Sequence, residues 1–360
     1  MILKTYHLYI IRNFLKIVLK ISLIFFSLIF ILNVFEEINF FKTEEINIFF
    51  PILLTFLNIP SVIFDIFPFI FLISTQVFFL NLLEKDELYI FKNFGLNNLK
   101  IIKILALTSF LVSILLIIFF YNISAKLKFN YLDLKNNFAD DNKYLTVITE
   151  NGLWIKDEVN GKKNIINAEK MEENFLKKVT IIQFSNDFKF IKSINAETID
   201  ITNKDWIIFD ASIFKDNLNI KNQNNLIFKT NFDLKKINSL FSNLSSMTLF
   251  DLKKLKEDYQ SLNYSTLEID IHNQKIYSYP FYLMIMTILS AIIMLNIKHN
   301  NSKIFYLIAG IFLSVTIYYI NFFFNLVGKN ENLPMIVATW MPLIILSIIC
   351  VIGLVRINEK

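Results

Sequence analysis

Five stretches of the chain are apolar for long enough to cross a bilayer core, which takes roughly 20 residues: about 14–35, 101–123, 278–297, 304–327 and 334–355. A sixth lies within the apolar stretch 46–83, which is interrupted by Pro51, Pro60, Asp65 and Pro68. An interior proline tends to end or kink a helix, so this stretch reads as a short interfacial segment followed by a spanning helix from about 62 to 83. Between about 144 and 230 the pattern changes to short alternating runs: YLTVITE, GLWIKD, KNIINAE, KVTIIQFS, FKFIKSINAETIDI, DWIIFDA and NLIFKT. Alternation bounded by Asn, Asp and Gly marks half-buried strands. At least seven strands with no helix between them predict an antiparallel sandwich or open barrel. Trp154 and Trp206 are expected as core or edge aromatics of that sheet. Helical spacing returns at 246–263, with Leu249, Leu252, Leu255 and Tyr259 on one face and Thr248 as the cap.

The expected fold is therefore an α-helical membrane protein with six transmembrane helices, three before and three after an inserted extracytoplasmic all-β domain. The expected boundaries are 1–123 for the first three spans, 124–277 for the β domain with its connecting helices, and 278–360 for the last three spans. Composition agrees. The chain is 54% hydrophobic, whereas residues 124–277 hold 22 of the 36 basic and 21 of the 31 acidic residues. Outside that segment, 12 Lys and Arg fall on the side of the two termini and only Lys42 and Lys329 on the other. By the positive-inside rule both termini are cytoplasmic. The first apolar run ends in NVFEEINFF without a small-residue cleavage site, so it is expected to remain as a span.

Several chemistries find no support. The six glycines form no phosphate-binding loop. His7, His272 and His299 lie far apart without metal-ligand spacing, and no serine sits in a G-x-S-x-G elbow. No catalytic residue, metal or cofactor is expected. Near-equal numbers of acids and bases in the central domain argue against a nucleic-acid surface. Asp65 is the exceptional charge within a span; near the outer end, it reads as a solvated interface residue rather than a proton carrier.

The short polar interlude at about 84–97 remains. From Asp86 it reads as an amphipathic helix with Leu88, Phe91 and Gly95 on one side and Glu84 and Glu87 near its start; a solvated turn is the plainer alternative. DELYIFKNFG resembles the coupling-helix region of the LptF/LptG permease family of the lipopolysaccharide export ABC transporter. NIPSVIFDIFPFIFLIS is similar to that family's entry to span two, NGLWIKD to the start of its β-jellyroll, YSTLEIDIHNQKIYSYPFYLMIM to its span four, and ENLPMIVATWMPLIIL to its span six. The GLWIKD and LPMIVATWMP stretches lean toward LptG.

That resemblance implies a permease subunit of the bacterial inner membrane with a periplasmic jellyroll. It would extract lipopolysaccharide and pass it to a periplasmic bridge resembling LptC or LptA, working with a homologous permease and two copies of a cytoplasmic ATPase resembling LptB. Such a chain is a transporter subunit, not an enzyme; ATP hydrolysis belongs to the separate ATPase. Glu84, Glu87, Leu88, Phe91 and Gly95 would form the ATPase contact, with Glu87 as the acidic coupling residue and Leu88 and Phe91 filling a groove. Spans one and five would gate the lipid cavity, with Phe30, Asn33, Phe322 and Phe323 as candidate wall positions. Asn33, Glu36 and Glu37, rather than basic residues, stand near the outer end of span one, so phosphate contacts are expected from the partner permease, Lys42 or the jellyroll. Two alternatives belong to other classes: a permease for another lipid or lipoprotein, and a non-transporting membrane anchor whose β domain binds a partner.

Overall fold

The computed structural model describes residues 5–42, 46–136, 138, 153–172, 174–215, 218–223, 225–234, 236–237, 243–261, 264–296, 303–330 and 333–358. The strand expected at 144–150 and Gly152 lie outside them. The chain divides into two compact units, Met1–Ser124 with Leu267–Lys360, and Ala125–Thr266.

The membrane unit holds helices α1 (Thr5–Phe40), α2 (Phe49–Glu84), the short α3 (Glu87–Asn93) and α4 (Asn98–Leu115). A π-helical turn, Leu116–Tyr121, carries α4 on into α5 (Asn122–Asn136). After the sheet come α6 (Leu249–Ser261), α7 (Leu267–Leu295), α8 (Lys303–Lys329) and α9 (Met335–Asn358). Six helices among the described residues are long and apolar enough to cross a membrane, the third of them being the continuous Asn98–Asn136.

The expected break in the second span is absent. α2 runs unbroken through Pro60 and Pro68 for 36 residues. Pro68 has no N–H for the carbonyl of Phe64, but that carbonyl accepts from the Tyr279 hydroxyl on α7 at 2.7 Å. A freed carbonyl in a spanning helix is tolerated when a neighbour satisfies it, so the tertiary partner removes the reason to stop. The rings of Phe64 and Tyr279 stack above this bond, 4.5 Å between centroids.

Small hydroxyl residues hold the helices around α2 together. Ser290 on α7 donates to the carbonyl of Leu72 at 2.7 Å, and Ser109 on α4 shares a hydrogen bond of 2.8 Å with Thr287 on α7. All three side chains are fully buried. Leu72, Met286, Leu289, Ile317, Leu343 and Cys350 fill the apolar core where α2, α7, α8 and α9 meet. Gln76, also fully buried, donates its amide to the carbonyl of Tyr306 on α8 at 2.9 Å. Gly310 makes room for it, since a Cβ there would overlap the Gln76 amide.

Among the described residues of the second unit eight strands form one curled antiparallel sheet: β1 (Leu153–Val159), β2 (Lys162–Glu172), β3 (Phe175–Phe184), β4 (Phe190–Asp200), β5 (Asp205–Phe209), β6 (Ala211–Lys215), β7 (Leu218–Gln223) and β8 (Leu226–Lys229). The order is β1-β2-β3-β4-β5-β8, with β6 on β4 and β7 on β6. Residues 198–200 of β4 pair with β5 and residues 193–195 with β6. One strand thus feeds two ladders, and the sheet bends into a half-barrel. The sequence pattern missed the β6–β7 hairpin because DNLNIKNQNN carries too few apolar residues to alternate.

One rung of the inner face is Ile155, Ile166, Ile181, Ile194 and Ile213 in register across five strands. The next inner rung is polar: Asp157, Asn164, Gln183 and Lys192. It stays satisfied because Gln183 donates to Asn164 at 2.9 Å and Asp157 accepts from Thr230 at 2.6 Å and from Asn231 at 2.8 Å. Burial, with Lys162 and Lys215 close by, pushes the Lys192 ammonium down from the usual lysine range. Trp206 is fully buried and donates to the Phe232 carbonyl at 2.9 Å, whereas Trp154 is exposed. Thr248 caps α6 as expected: its hydroxyl accepts from the Asp251 N–H at 3.3 Å, and the Asp251 carboxylate accepts from the Thr248 N–H at 3.2 Å.

Two outcomes follow from this packing. Gly310→Ala should destabilise the membrane unit by about 1–3 kcal/mol through overpacking, and adding Gln76→Ala should recover most of the loss, read as the thermal transition of the full chain in detergent. In the β domain the Tyr264 hydroxyl accepts from the Lys156 N–H at 2.7 Å and donates to the Lys156 carbonyl at 2.9 Å, and burial pushes it up to about 12. The folded state therefore holds the phenol proton more tightly than the unfolded one. Stability from this group is complete below about pH 10 and falls as pH rises through about 12. Tyr264→Phe should flatten that alkaline loss in near-ultraviolet dichroism.

Candidate functional site

The polar interlude folds as a rigid corner. Asp86 takes a left-handed conformation at φ 55° and turns the chain from α2 into α3. At the far end Gly95, at φ 77°, donates its N–H to the Lys92 carbonyl at 3.0 Å, and Leu96 donates to the Phe91 carbonyl at 2.9 Å. These two bonds are a Schellman closure, which favours glycine because the left-handed backbone crowds any Cβ. Asn97 then caps α4 by accepting from the Lys100 N–H at 3.0 Å, while the Lys100 ammonium reaches the Gly95 carbonyl at 3.0 Å. Every turn of the loop is thereby pinned by its own chain.

Glu87 is half-buried and its carboxylate accepts from the Tyr9 hydroxyl on α1 at 3.0 Å. The Tyr9 ring also meets Phe91 edge-on, 6.2 Å between centroids. Glu84 lies exposed at the end of α2. Leu88 is buried and Phe91 half-buried, so both turn toward their own chain. The apolar side chains turned outward are Tyr89, Ile90 and Phe94, at 68%, 48% and 82% exposure. Helical spacing alone could not separate these two sets. A seven-residue helix has one apolar residue in nearly every direction, and its inward face is fixed by Asp86 and by the packing of α3 on α2.

The four wall candidates occupy two places. Phe30 is half-buried against Phe26 and Phe56, with centroids at 6.4 and 4.9 Å. Asn33 accepts from Asn58 on α2 at 3.2 Å and donates to the Ile29 carbonyl at 3.0 Å. Phe322 and Phe323 stand exposed on α8. Sequence reasoning missed Tyr9, Tyr89, Ile90 and Phe94; their signal was an aromatic or aliphatic residue at a polar boundary, too weak to read without the fold.

Six spans in one unit, interrupted in sequence between the third and the fourth by a half-barrel, with an amphipathic corner between spans two and three, define a polytopic membrane protein. The family model for the lipopolysaccharide export system permease LptF/LptG matches residues 8–356, and the chain belongs to that family. It is accordingly an inner-membrane protein of lipopolysaccharide export. No curated protein matches it.

Gly95→Ala should cost the closure about 1 kcal/mol, since a left-handed backbone penalises an L side chain by that order. The check is hydrogen exchange at Gly95 and Leu96, which should speed up about fivefold while exchange in the core of α2 is unchanged.

Proposed function

We propose that this chain is a permease subunit of an ABC transporter that extracts lipopolysaccharide from the inner membrane and passes it to a periplasmic jellyroll bridge. In this reading it pairs with a homologous permease and with two copies of a cytoplasmic ATPase, and both termini and α3 are cytoplasmic while the half-barrel is periplasmic. The distribution of Lys and Arg supports that orientation. The half-barrel supports the bridge, because an open sheet can extend into a like sheet by strand addition.

The observation that carries the proposal is the form of the corner at 84–97. It presents Tyr89, Ile90 and Phe94 outward from a loop whose own hydrogen bonds fix it to α1, α2 and α4. A rigid helix with an apolar outward face is what force transfer from a soluble motor requires, because a flexible loop would absorb the displacement. Glu87 acts in two ways: it locks α3 to α1 through Tyr9, and it places negative charge at the helix start beside the docking face. Leu88 and Phe91 support the helix from beneath, Gly95 ends it, Glu84 lies at its rim, and Tyr89, Ile90 and Phe94 enter the ATPase groove. Phe30, Asn33, Phe322 and Phe323 serve the two gate helices, α1 and α8.

Affinity purification of the tagged chain from its native membrane, with mass spectrometry of what accompanies it, tests this reading. Wild type should bring down an ATPase and a second six-span permease. Phe94→Asp changes an 82% exposed side chain, so the fold stands, and it should lose the ATPase by at least tenfold while keeping the second permease. Recovery of neither partner with wild type would overturn the proposal, as would full retention of the ATPase by both Phe94→Asp and Glu87→Arg.

A further inference from the structure

Three exposed phenylalanines gather at one end of the half-barrel: Phe188 in the β3–β4 turn, Phe190 at the start of β4 and Phe214 near the end of β6, at 64%, 51% and 41% exposure. The register brings them together, since Lys163 of β2 lies opposite Phe184 of β3, Phe184 opposite Phe190, and Ser193 of β4 opposite Phe214. The same end carries Lys162, Lys163, Lys189, Lys192 and Lys215, against Glu158 and Asp187 among the described residues. With Asp216 added from the sequence, the balance is five bases to three acids. Lys162, Lys163, Lys189 and Lys192 form no ion pair among the described residues. At the far end of the sheet, by contrast, Lys177 and Lys178 are paired with Glu172 and Glu169. Burial and then the neighbouring Lys162 and Lys215 push the Lys192 ammonium down, as crowded cations do when no anion stands among them.

The turn itself gives no reason for Phe188. The residue takes a left-handed φ of 57°, where a bulky side chain is a rare outlier and Asn, Asp or Gly the ordinary occupant. Its ring is nevertheless held out in solvent. The Lys163 ammonium lies 3.7 Å from the ring centroid and donates to the Asn186 carbonyl at 3.2 Å, which ties the start of β2 to the β3–β4 turn. Strain of this kind persists where function requires it. Exposed aromatic rings set among lysines suit the head-group layer of a membrane, whereas protein interfaces are depleted in lysine. The β unit is also joined in sequence to spanning helices on both sides, Asn98–Asn136 before it and Leu267–Leu295 after it. That double tether presents a bilayer at high effective concentration, so even a weak contact is populated.

We propose that this end of the half-barrel seats on the surface of the bilayer that anchors the chain, with the three phenylalanines among the head groups of anionic phospholipids and the five lysines over their phosphates. The contact needs only the tether, so it stands apart from the permease reading. It fixes how the concave face of the sheet is presented to the membrane. It also loosens as ionic strength rises, because salt screens the attraction between lysine and phosphate.

The test places the full chain in nanodiscs with a bimane label on Asn186→Cys, an exposed position in the β3–β4 turn, and reads quenching by a lipid that carries a head-group nitroxide. Cys350 is buried, so the label goes to the introduced thiol. Quenching should be about threefold stronger in discs containing phosphatidylglycerol than in discs of phosphatidylcholine alone. The same label on Lys170→Cys, exposed toward the far end of β2, should show no such difference. Lys162→Glu with Lys189→Glu changes two exposed side chains and should bring the turn label to its level in neutral discs. Phe188→Asn suits the left-handed backbone, so the β unit should keep its near-ultraviolet dichroism while quenching falls about threefold. Quenching that is equal at both ends, equal in the two lipid compositions or unchanged in the double variant overturns the seat. Should the double variant fail to fold, Phe188→Asn decides alone, with a loss of quenching supporting the seat and no change refuting it. None of these outcomes touches the recovery of an ATPase, which tests the permease reading separately.

Discussion

Hydrocarbon offers no hydrogen bonds, so every backbone group that a spanning helix leaves open must be satisfied from inside the protein. The arrangement of the membrane unit depends on this constraint at one point above all. Pro68 strips the Phe64 carbonyl of its helical donor, and Tyr279 on α7 replaces it. With that bond α2 continues as one rod and α7 is fixed against it. Ser290 on the Leu72 carbonyl adds a second bond between α7 and the same rod, and Gln76 on the Tyr306 carbonyl joins α8 to it. α2 packs against α1, α7, α8 and α3, so it is the member through which the unit is organised.

A rod of this kind gives the corner at 84–97 its mechanical meaning. α3 follows directly on the end of α2, and its three tethers, Asp86 at the entry, the Schellman closure at Gly95 and the Tyr9–Glu87 bond, leave it no freedom to swing independently. A push on the outward face of Tyr89, Ile90 and Phe94 would be delivered to α2 and α1 rather than dissipated in the loop. Midway along the same rod stands Asp65, paired with Lys275. A displacement of α3 is therefore carried along α2 to this pair, because packed helices move as units.

The β unit solves a different problem by a related rule. Its inner face changes from an isoleucine rung to a polar rung within one pleat, which is tolerable because each buried member of the polar rung has a partner. The Asp157 carboxylate, buried on β1, draws Thr230 and Asn231 from the end of β8 to the first described strand, so a side-chain network holds the open half-barrel curled where no ladder closes it.

What the sequence determined by itself were the long-period features. Span number, the inserted sheet, most of its strands and the Thr248 cap follow from hydropathy and alternation, because these arise from solvent preference averaged over many residues. The sequence could not show which way seven residues of α3 face, that α2 passes through two prolines, that β6 and β7 pair despite their asparagines, or that Asp65 meets a lysine 210 positions away. Three of these involve a partner distant in the chain: Tyr279 for Pro68, Tyr9 for Glu87 and Lys275 for Asp65. Local pattern records a residue's preference for water or oil, and only the tertiary structure supplies the one neighbour that overrides or completes it.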